Sequence, residues 1–181
     1  MGIPVQIVFL GTAVAFAAVA AVHDLRDRRI PNWLTGSGIA AGLLLHLIAG
    51  GPAQAGWSLL AGLGAGAVFL IFYLAGGMGA GDVKLIAAVG CLVGVASIKD
   101  VLLATVFIGA IFAIGLAAYR GRLRETVRNV SALIGHHLEN GLTAHPDLNV
   151  TSANTLRLAY ALPIALGCFI TFCLGSFGGG S

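Results

Sequence analysis

Charged side chains are scarce in this sequence. Only 9% of the 181 residues are Asp, Glu, Lys or Arg, whereas 58% are hydrophobic, and the mean hydropathy is +0.96. A soluble domain carries about 25% charged residues. So few charges cannot cover a surface that faces water, and the composition therefore excludes a soluble globular domain. It predicts an all-α integral membrane protein whose main partner is the lipid bilayer.

Cysteine and clustered metal ligands are also scarce. The sequence has three cysteines, Cys91, Cys168 and Cys173, and all of them lie in apolar runs without a C-x-x-C pair. We interpret them as packing residues, since an odd number in this setting indicates no disulfide framework. The three histidines within residues 136–145 are typical of a solvated loop. We therefore expect no metal site and no cofactor.

Six apolar stretches approach the length of about 20 residues that a helix needs to cross a bilayer. They cover residues 3–22, 33–49, 57–75, 83–98, 101–119 and 158–177. The fourth is the shortest, and only Lys99 and Asp100 separate it from the fifth. The first also resembles a signal peptide, but no Lys or Arg precedes it and its apolar run is long, so we expect a retained helix. We predict one polytopic domain over residues 1–181.

The basic residues predict the orientation of these six transmembrane helices. If the N-terminus lies outside, nine of the ten Lys and Arg residues face the cytoplasm and only Lys99 lies outside, as the positive-inside rule requires. The pI near 9 then reflects orientation, and we expect no nucleic-acid partner. Residues 120–157 form the cytoplasmic loop. Apolar side chains at steps of three and four in its first half predict an interfacial amphipathic helix.

Two carboxylates lie where a charge is costly. Asp24 closes the first predicted span and Asp82 opens the fourth, which places both at the cytoplasmic boundary and at the same depth. An acidic residue near the bilayer centre costs about 2.5–3.5 kcal/mol and therefore indicates function. Two neighbouring carboxylates share one proton, so that one can activate water while the other polarises a peptide carbonyl. The pair predicts aspartic-protease chemistry.

The stretch GGMGAGDVKL at residues 76–85 surrounds the second carboxylate with glycines. Gly76, Gly77, Gly79 and Gly81 allow the backbone to leave helical geometry and allow another backbone to approach closely. Irregular backbone at membrane depth is tolerated only where it lines protein or a water-filled cavity. We therefore expect these glycines to make room for an extended peptide substrate.

Three alternatives remain open on the residues alone. The glycine-rich stretch is also typical of a simple interhelical loop, with Asp24 paired to Arg26 or Arg28. A small transporter would use intramembrane carboxylates too, but it predicts inverted repeats, and here Asp24 ends a span whereas Asp82 begins one. A secretion-system scaffold would use the Gly62-x-x-x-Gly66 packing face, which is a feature of helical membrane proteins in general.

Two sequence strings resemble the signatures of a known family. DLRDRRIPNWLT at residues 24–35 and GGMGAGDVKL at residues 76–85 closely resemble those of the bacterial type IV prepilin peptidases, which are G-x-G-D membrane aspartic proteases. LAYALPIALG at residues 158–167 is similar to a family pattern in the last span. The length and the number of spans resemble the short TadV/CpaA-like subgroup that serves Flp/Tad-type pili.

The resemblance implies a function and a set of site residues. It implies that Asp24 and Asp82 are the catalytic pair and that Gly79 and Gly81 are motif glycines. Lys84 would orient Asp82 or the substrate, or extend to lipid headgroups. The implied substrate is a single-span prepilin whose leader is removed at the cytoplasmic face of the bacterial inner membrane. Longer members carry a cysteine-containing insert and methylate the pilin; here about ten residues, none of them Cys, separate the first two spans, so we expect neither a zinc site nor methyltransferase activity.

Overall fold

The computed structural model describes residues 5–74, 78–121, 128 and 160–178. All regular secondary structure in these residues is helical: α1 (Val5–Asp27), α2 (Asn32–Leu74), α3 (Ala80–Tyr119) and α4 (Ala161–Gly178). The first three are each long and apolar enough to cross a membrane, and α4 is a shorter apolar helix. The described part of the chain is therefore all-helical, and its long apolar helices are those of a membrane protein. The predicted amphipathic helix lies in residues 120–157, almost all of which are outside the described residues.

Glycines divide the two longest helices. A straight helix of 43 residues would measure about 64 Å, twice the thickness of the hydrocarbon core. α2 is instead interrupted at Gly50 and Gly51, and α3 at Gly94. Gly51 and Gly94 have φ values of 75° and 69°, a region that glycine adopts without steric cost. We name the resulting parts α2N (32–49), α2C (52–74), α3N (80–93) and α3C (95–119).

The break in α3 differs from the one that the sequence predicted. The sequence placed the limit between the fourth and fifth spans at Lys99 and Asp100, but both residues are helical. The interruption is at Gly94 instead, so the predicted limit was wrong. The physical reason is that exposed charged residues can lie on a helix surface, whereas the left-handed backbone of a sharp reversal favours glycine.

Contacts between α2 and α3N show the relative directions of these helical segments. Lys84 near the start of α3N donates a hydrogen bond to Asn32 at the start of α2N, and His46 near the end of α2N contacts the Leu92 carbonyl near the end of α3N. These two parts are therefore parallel. α2C runs in the opposite direction, because its Ser58 bonds to the Cys91 carbonyl whereas its Gly66 lies against Ala87.

The remaining helices follow the same alternation. α3C runs parallel to α1, and α4 runs antiparallel to both. The contacts that fix these directions join Gln6 to Ser97, Gly109 to Tyr160 and Gly11 to Phe172, and Asp24 to Ala161. In the residues that the structure describes, six helical segments thus alternate between two ends of the molecule. We call them the carboxylate end (Asp24, Asn32, Asp82, Tyr160) and the Gly94 end (Gln6, His46, Gly94).

Small residues allow α2C and α3N to pack closely. A Cβ atom added at Gly62 would lie 2.7 Å from the Ala87 carbonyl oxygen, and one added at Gly90 would lie 2.8 Å from the Gly62 Cα atom. One added at Gly64 would meet nothing within 4 Å. The Gly62-x-x-x-Gly66 face is therefore a helix-packing face, as the sequence predicts. It holds α3N, whose Leu85, Ile86 and Val89 are fully buried, in the centre of the molecule.

Candidate active site

The two carboxylates that the sequence singled out come together in the fold. Asp24 lies in the last turn of α1 and Asp82 in the first turn of α3, and they are close enough for their charges to interact. Asp82 is 9% exposed, and Asp24 is partly buried. The fold thus forms a pair of neighbouring, poorly hydrated carboxylates at the carboxylate end of the molecule.

The start of α3 fixes the Asp82 side chain. The backbone N–H of Gly79 donates to Asp82 Oδ2 at 3.2 Å, and the N–H of Asp82 donates to the Gly79 carbonyl oxygen at 3.1 Å. The bond from Gly79 to the carboxylate is one half of a capping box, in which an acid at the third helical position accepts from the backbone N–H of the N-cap residue; the other half is missing because glycine has no side chain. A Cβ atom at Gly79 would lie 3.3 Å from Asp82 Oδ2. Glycine at this position therefore leaves space for the carboxylate.

Gly81 does not have the irregular backbone expected of it. It lies inside the first turn of α3, and an added Cβ atom would meet Ile30 at 3.5 Å, an ordinary van der Waals distance. The expectation that Gly81 departs from helical geometry was therefore wrong, because the helix begins at Ala80, before this residue. Gly76 and Gly77 lie outside the described residues.

Lys84 bonds to a neighbouring helix. Its Nζ atom donates to Asn32 Oδ1 at 2.9 Å, and this pair is exposed. Asn32 is the first residue of α2, and the carbonyl of the preceding Pro31 accepts from Leu34 at 3.1 Å. The hydrogen bond therefore joins the starts of α2N and α3N at the rim of the carboxylate pair.

Tyr160 and Ala161 also lie at this site, although the sequence pattern predicted no role for them. The backbone N–H of Ala161, the first residue of α4, donates a hydrogen bond to the Asp24 carboxylate. Tyr160 is partly buried, and its ring lies against Gly109. The Tyr160 phenol lies near the Asp82 carboxylate, and a phenol, whose ordinary pKa is about 10, is protonated at neutral pH and able to donate a hydrogen bond. The only signal for these residues was the LAYALPIALG string, whose resemblance names a span but no role.

The rim next to Asp24 carries an exposed acid. Asp27 lies one helical turn after His23, and the distance from His23 Nδ1 to Asp27 Oδ2 is 3.8 Å. The His23 ring also makes an edge contact with Trp33, with the ring centroids 6.1 Å apart. Asp27 therefore adds an exposed negative charge at the end of α1, three residues after Asp24.

The functional groups that meet here are two carboxyl groups, one phenol and two helix N-termini. Among the described residues, no group of three or more His, Cys, Asp or Glu side chains is placed to hold a metal ion. Neighbouring carboxyl groups can exchange protons with water and with a bound amide. The arrangement therefore suits acid–base hydrolysis by the protein's own side chains.

Comparison with known proteins identifies the family. The model of the type IV leader peptidase family matches residues 11–114, more than half of the chain, and this range contains both Asp24 and Asp82. The comparison with curated proteins finds no match, and neither does the comparison with solved structures. The matched range runs from α1 through most of α3C, the part that builds the carboxylate pair. The chain therefore belongs to the type IV leader peptidase family.

Proposed function

We propose that this peptidase is an aspartic endopeptidase that removes the leader peptide of type IV prepilins or pseudopilins, of the Flp/Tad type. The observation that carries the proposal is the meeting of Asp24 and Asp82 from two different helices. Two carboxylates held at one site can share a single proton, since both cannot ionise cheaply. This is the state that aspartic proteolysis requires.

The mechanism follows from that shared proton. The ionised carboxylate takes a proton from water, and the oxygen of this water forms a bond to the carbon of the scissile amide. The protonated carboxyl group donates its proton to the carbonyl oxygen, which gives a neutral tetrahedral diol. The carboxyl group that took the proton from water then gives it to the amide nitrogen, while a hydroxyl group of the diol returns its proton to the other carboxylate. The C–N bond breaks, the leader is released with a new carboxyl group, and the pair again holds one shared proton. The hydrogen bonds from Gly79 and Ala161 hold the two carboxyl groups in position throughout.

The proposed location is the cytoplasmic face of the bacterial inner membrane. The six alternating helical segments support six membrane crossings with the N-terminus outside, and the Lys and Arg distribution supports the carboxylate end as the cytoplasmic one. A prepilin has one apolar helix, so its cleavage site would approach the pair sideways from the bilayer. The exposed Asp27 at the end of α1 would attract a basic leader locally.

The test is cleavage of a co-expressed prepilin-like substrate by the wild type and by Asp24→Asn and Asp82→Asn. Asparagine keeps the size and the hydrogen bonding but removes the ionisable proton, so we expect cleavage to fall at least about a hundredfold in each variant. The matched control is Asp100→Asn, because Asp100 is an exposed helical acid in α3C near the Gly94 end. It should cleave like the wild type.

The opposite result has a definite meaning. If Asp24→Asn or Asp82→Asn inserts normally and cleaves at near the wild-type rate, the paired-carboxylate mechanism is wrong. The transporter and scaffold alternatives would then have to be tested, the first by measuring flux and the second by pilus assembly with both carboxylates replaced.

A further inference from the structure

The connection between α1 and α2 is attached to the last turn of α1. The helix ends at Asp27, and residues 28–31 lead to the start of α2. The backbone N–H of Arg28 donates to the Asp24 carbonyl oxygen at 2.9 Å. Arg28 has a φ angle of 50°, which is uncommon for a residue with a side chain. The chain therefore turns sharply directly after the helix that carries Asp24.

The same connection contacts the start of α3 through Ile30. A Cβ atom added at Gly81 would lie 3.5, 3.6 and 3.7 Å from the Cβ, Cδ1 and Cγ1 atoms of Ile30, so this side chain lies directly against the glycine. Ile30 is partly buried and packs on the apolar core. Gly81 directly precedes Asp82. A continuous set of contacts therefore runs from Asp24 through the connection and Ile30 to Asp82.

Lys84 joins the same two segments from the exposed side. Its Nζ atom donates to Asn32 Oδ1 at 2.9 Å, and Asn32 directly follows the connection. Residues two apart on a helix do not face each other, and among the described residues no ion pair joins Lys84 to Asp24 or Asp82. A cation in contact with the pair would favour ionisation of both carboxyl groups. The bond therefore holds the connection against α3 and leaves the pair able to share a proton.

The last side chains that α1 buries before Asp24 are small. Ala17, Ala20 and Ala21 are at most 5% exposed, and alanine allows neighbouring helices to approach each other closely. The larger apolar side chain that contacts the start of α3 from the α1 side is that of Ile30. Ile30 is therefore placed to limit how closely the last turn of α1 approaches the start of α3.

We propose that Ile30 is a positioning residue that sets the separation of the Asp24 and Asp82 carboxyl groups. The inference rests on the proposed function, in which these two groups share one proton. Ile30 acts as a spacer between the connection and the start of α3, and the bond from Lys84 to Asn32 keeps the two from moving apart. The interaction between two carboxyl groups depends on their distance. The size of the spacer therefore matters to the reaction itself.

The pH dependence of cleavage tests this role. The proposed mechanism requires one proton on the pair, so kcat/KM should fall at low and at high pH, and the interval between the two limbs should grow as the carboxyl groups interact more strongly. Ile30→Ala removes Cγ1 and Cδ1 from the spacer, while the bond from Lys84 still holds the connection against α3. We expect the interval to widen by at least about half a pH unit. We also expect kcat to fall about tenfold and KM to change less than about threefold.

A second variant moves the pair in the opposite direction. Asn32→Ala removes the acceptor at the exposed side but keeps the charge of Lys84, so the connection is free to move away from α3. We expect the interval between the limbs to narrow. Both substitutions leave unchanged the charged and titratable side chains on the elements around the pair, so a shift of the limbs reports the two carboxyl groups. These unchanged side chains are residues 26–29, His23, Lys84 and Tyr160.

Two further variants separate positioning from general stability. Ile98→Ala removes the same atoms from another isoleucine that is partly buried and packs on the core, but it lies four residues after Gly94, at the opposite end. It should lower the midpoint of thermal unfolding and keep the wild-type kcat and pH interval. Ile30→Val keeps Cβ and a γ carbon against Gly81 and should restore the wild-type profile.

The outcomes distinguish this inference from the proposed function. If Asp24→Asn and Asp82→Asn are inactive but the pH interval is the same in Ile30→Ala, Asn32→Ala and the wild type, the positioning role is overturned and the proposed function stands. An interval that narrows in Ile30→Ala, or one that changes equally in Ile98→Ala, overturns it too. If Ile30→Ala does not fold, an unchanged interval in Asn32→Ala is sufficient to overturn it. Cleavage by Asp24→Asn or Asp82→Asn at near the wild-type rate removes the proposed function and this inference together.

Discussion

At the scale of single residues, each carboxylate is held by the N-terminus of a helix. Asp82 accepts from the N-cap residue of its own helix, whereas Asp24, at the end of α1, accepts from the first residue of α4. Helix N-termini carry partial positive charge and orient their free N–H groups toward anions. The fold therefore supplies backbone donors to two carboxylates that arise at opposite ends of their own helices.

The first prediction at the scale of single residues concerns Gly79. In Gly79→Ala the added methyl group would lie 3.3 Å from Asp82 Oδ2 and displace the carboxylate by a few tenths of an ångström. We expect cleavage of the prepilin-like substrate to fall about tenfold, because catalysis depends steeply on such positions. Gly81→Ala is the matched control, since its methyl group has ordinary contacts with Ile30. Equal rates for the two variants would show that the space beside Asp82 does not matter.

The second prediction at the scale of single residues concerns Tyr160. Its protonated phenol lies near Asp82 and can donate to the substrate carbonyl or to the diol intermediate. Tyr160→Phe keeps the ring that packs on Gly109, so we expect unchanged thermal stability and a kcat about tenfold lower, with a smaller change in KM. Steady-state kinetics with purified enzyme decide the matter. A variant with the wild-type kcat would leave Tyr160 with a packing role only.

At the scale of helices, glycine has two separate uses. Gly51 and Gly94 adopt positive φ where the chain reverses direction, whereas Gly62 and Gly90 are helical and bring two backbones together. The first use depends on the backbone conformation of glycine and the second on its lack of a side chain. Both uses serve α3N, which is short, central and carries Asp82 at its start.

Gly62→Ala tests the packing of α2C against α3N. Its methyl group would lie 2.7 Å from the Ala87 carbonyl oxygen, a backbone atom that can move only with its helix. We expect a loss of about 1–3 kcal/mol in the free energy of unfolding, seen as a lower midpoint of thermal unfolding in detergent. The control is Gly64→Ala in the same helix, where the methyl group meets nothing within 4 Å. If both variants unfold at the same temperature, the packing argument fails.

At the scale of the whole molecule, the proposed topology puts the two ends on opposite sides of the membrane. We predict that in a background with all three cysteines replaced by alanine, Lys99→Cys is labelled by an impermeant maleimide in intact bacteria. Arg120→Cys, at the other end of α3C, should be labelled only after the inner membrane is opened. Both native residues are exposed, so burial does not separate them. The reverse pattern would place the carboxylate end outside.

The sequence by itself determined the solvent, the secondary structure class and the two carboxylates of this protein. Composition is a property of the chain and dictates lipid as the surroundings, and apolar length dictates helices. The two strings around Asp24 and Asp82 identified the family that the comparison with known proteins confirms. These features are local, since each depends on residues that are close together in the chain.

Only the tertiary structure decided where the chain reverses in α3, which groups hold each carboxylate, and which residues meet at the Gly94 end of the molecule. The charged residues 99 and 100 suggested a turn between two helices, but the chain reverses at Gly94. The reversal requires a positive φ angle, and the polarity of the side chains does not indicate where the backbone adopts one. The bond from Ala161 to Asp24 and the contact of His46 with the Leu92 carbonyl oxygen join residues far apart in sequence. Such contacts arise only when helices pack, and no local pattern in the chain encodes them.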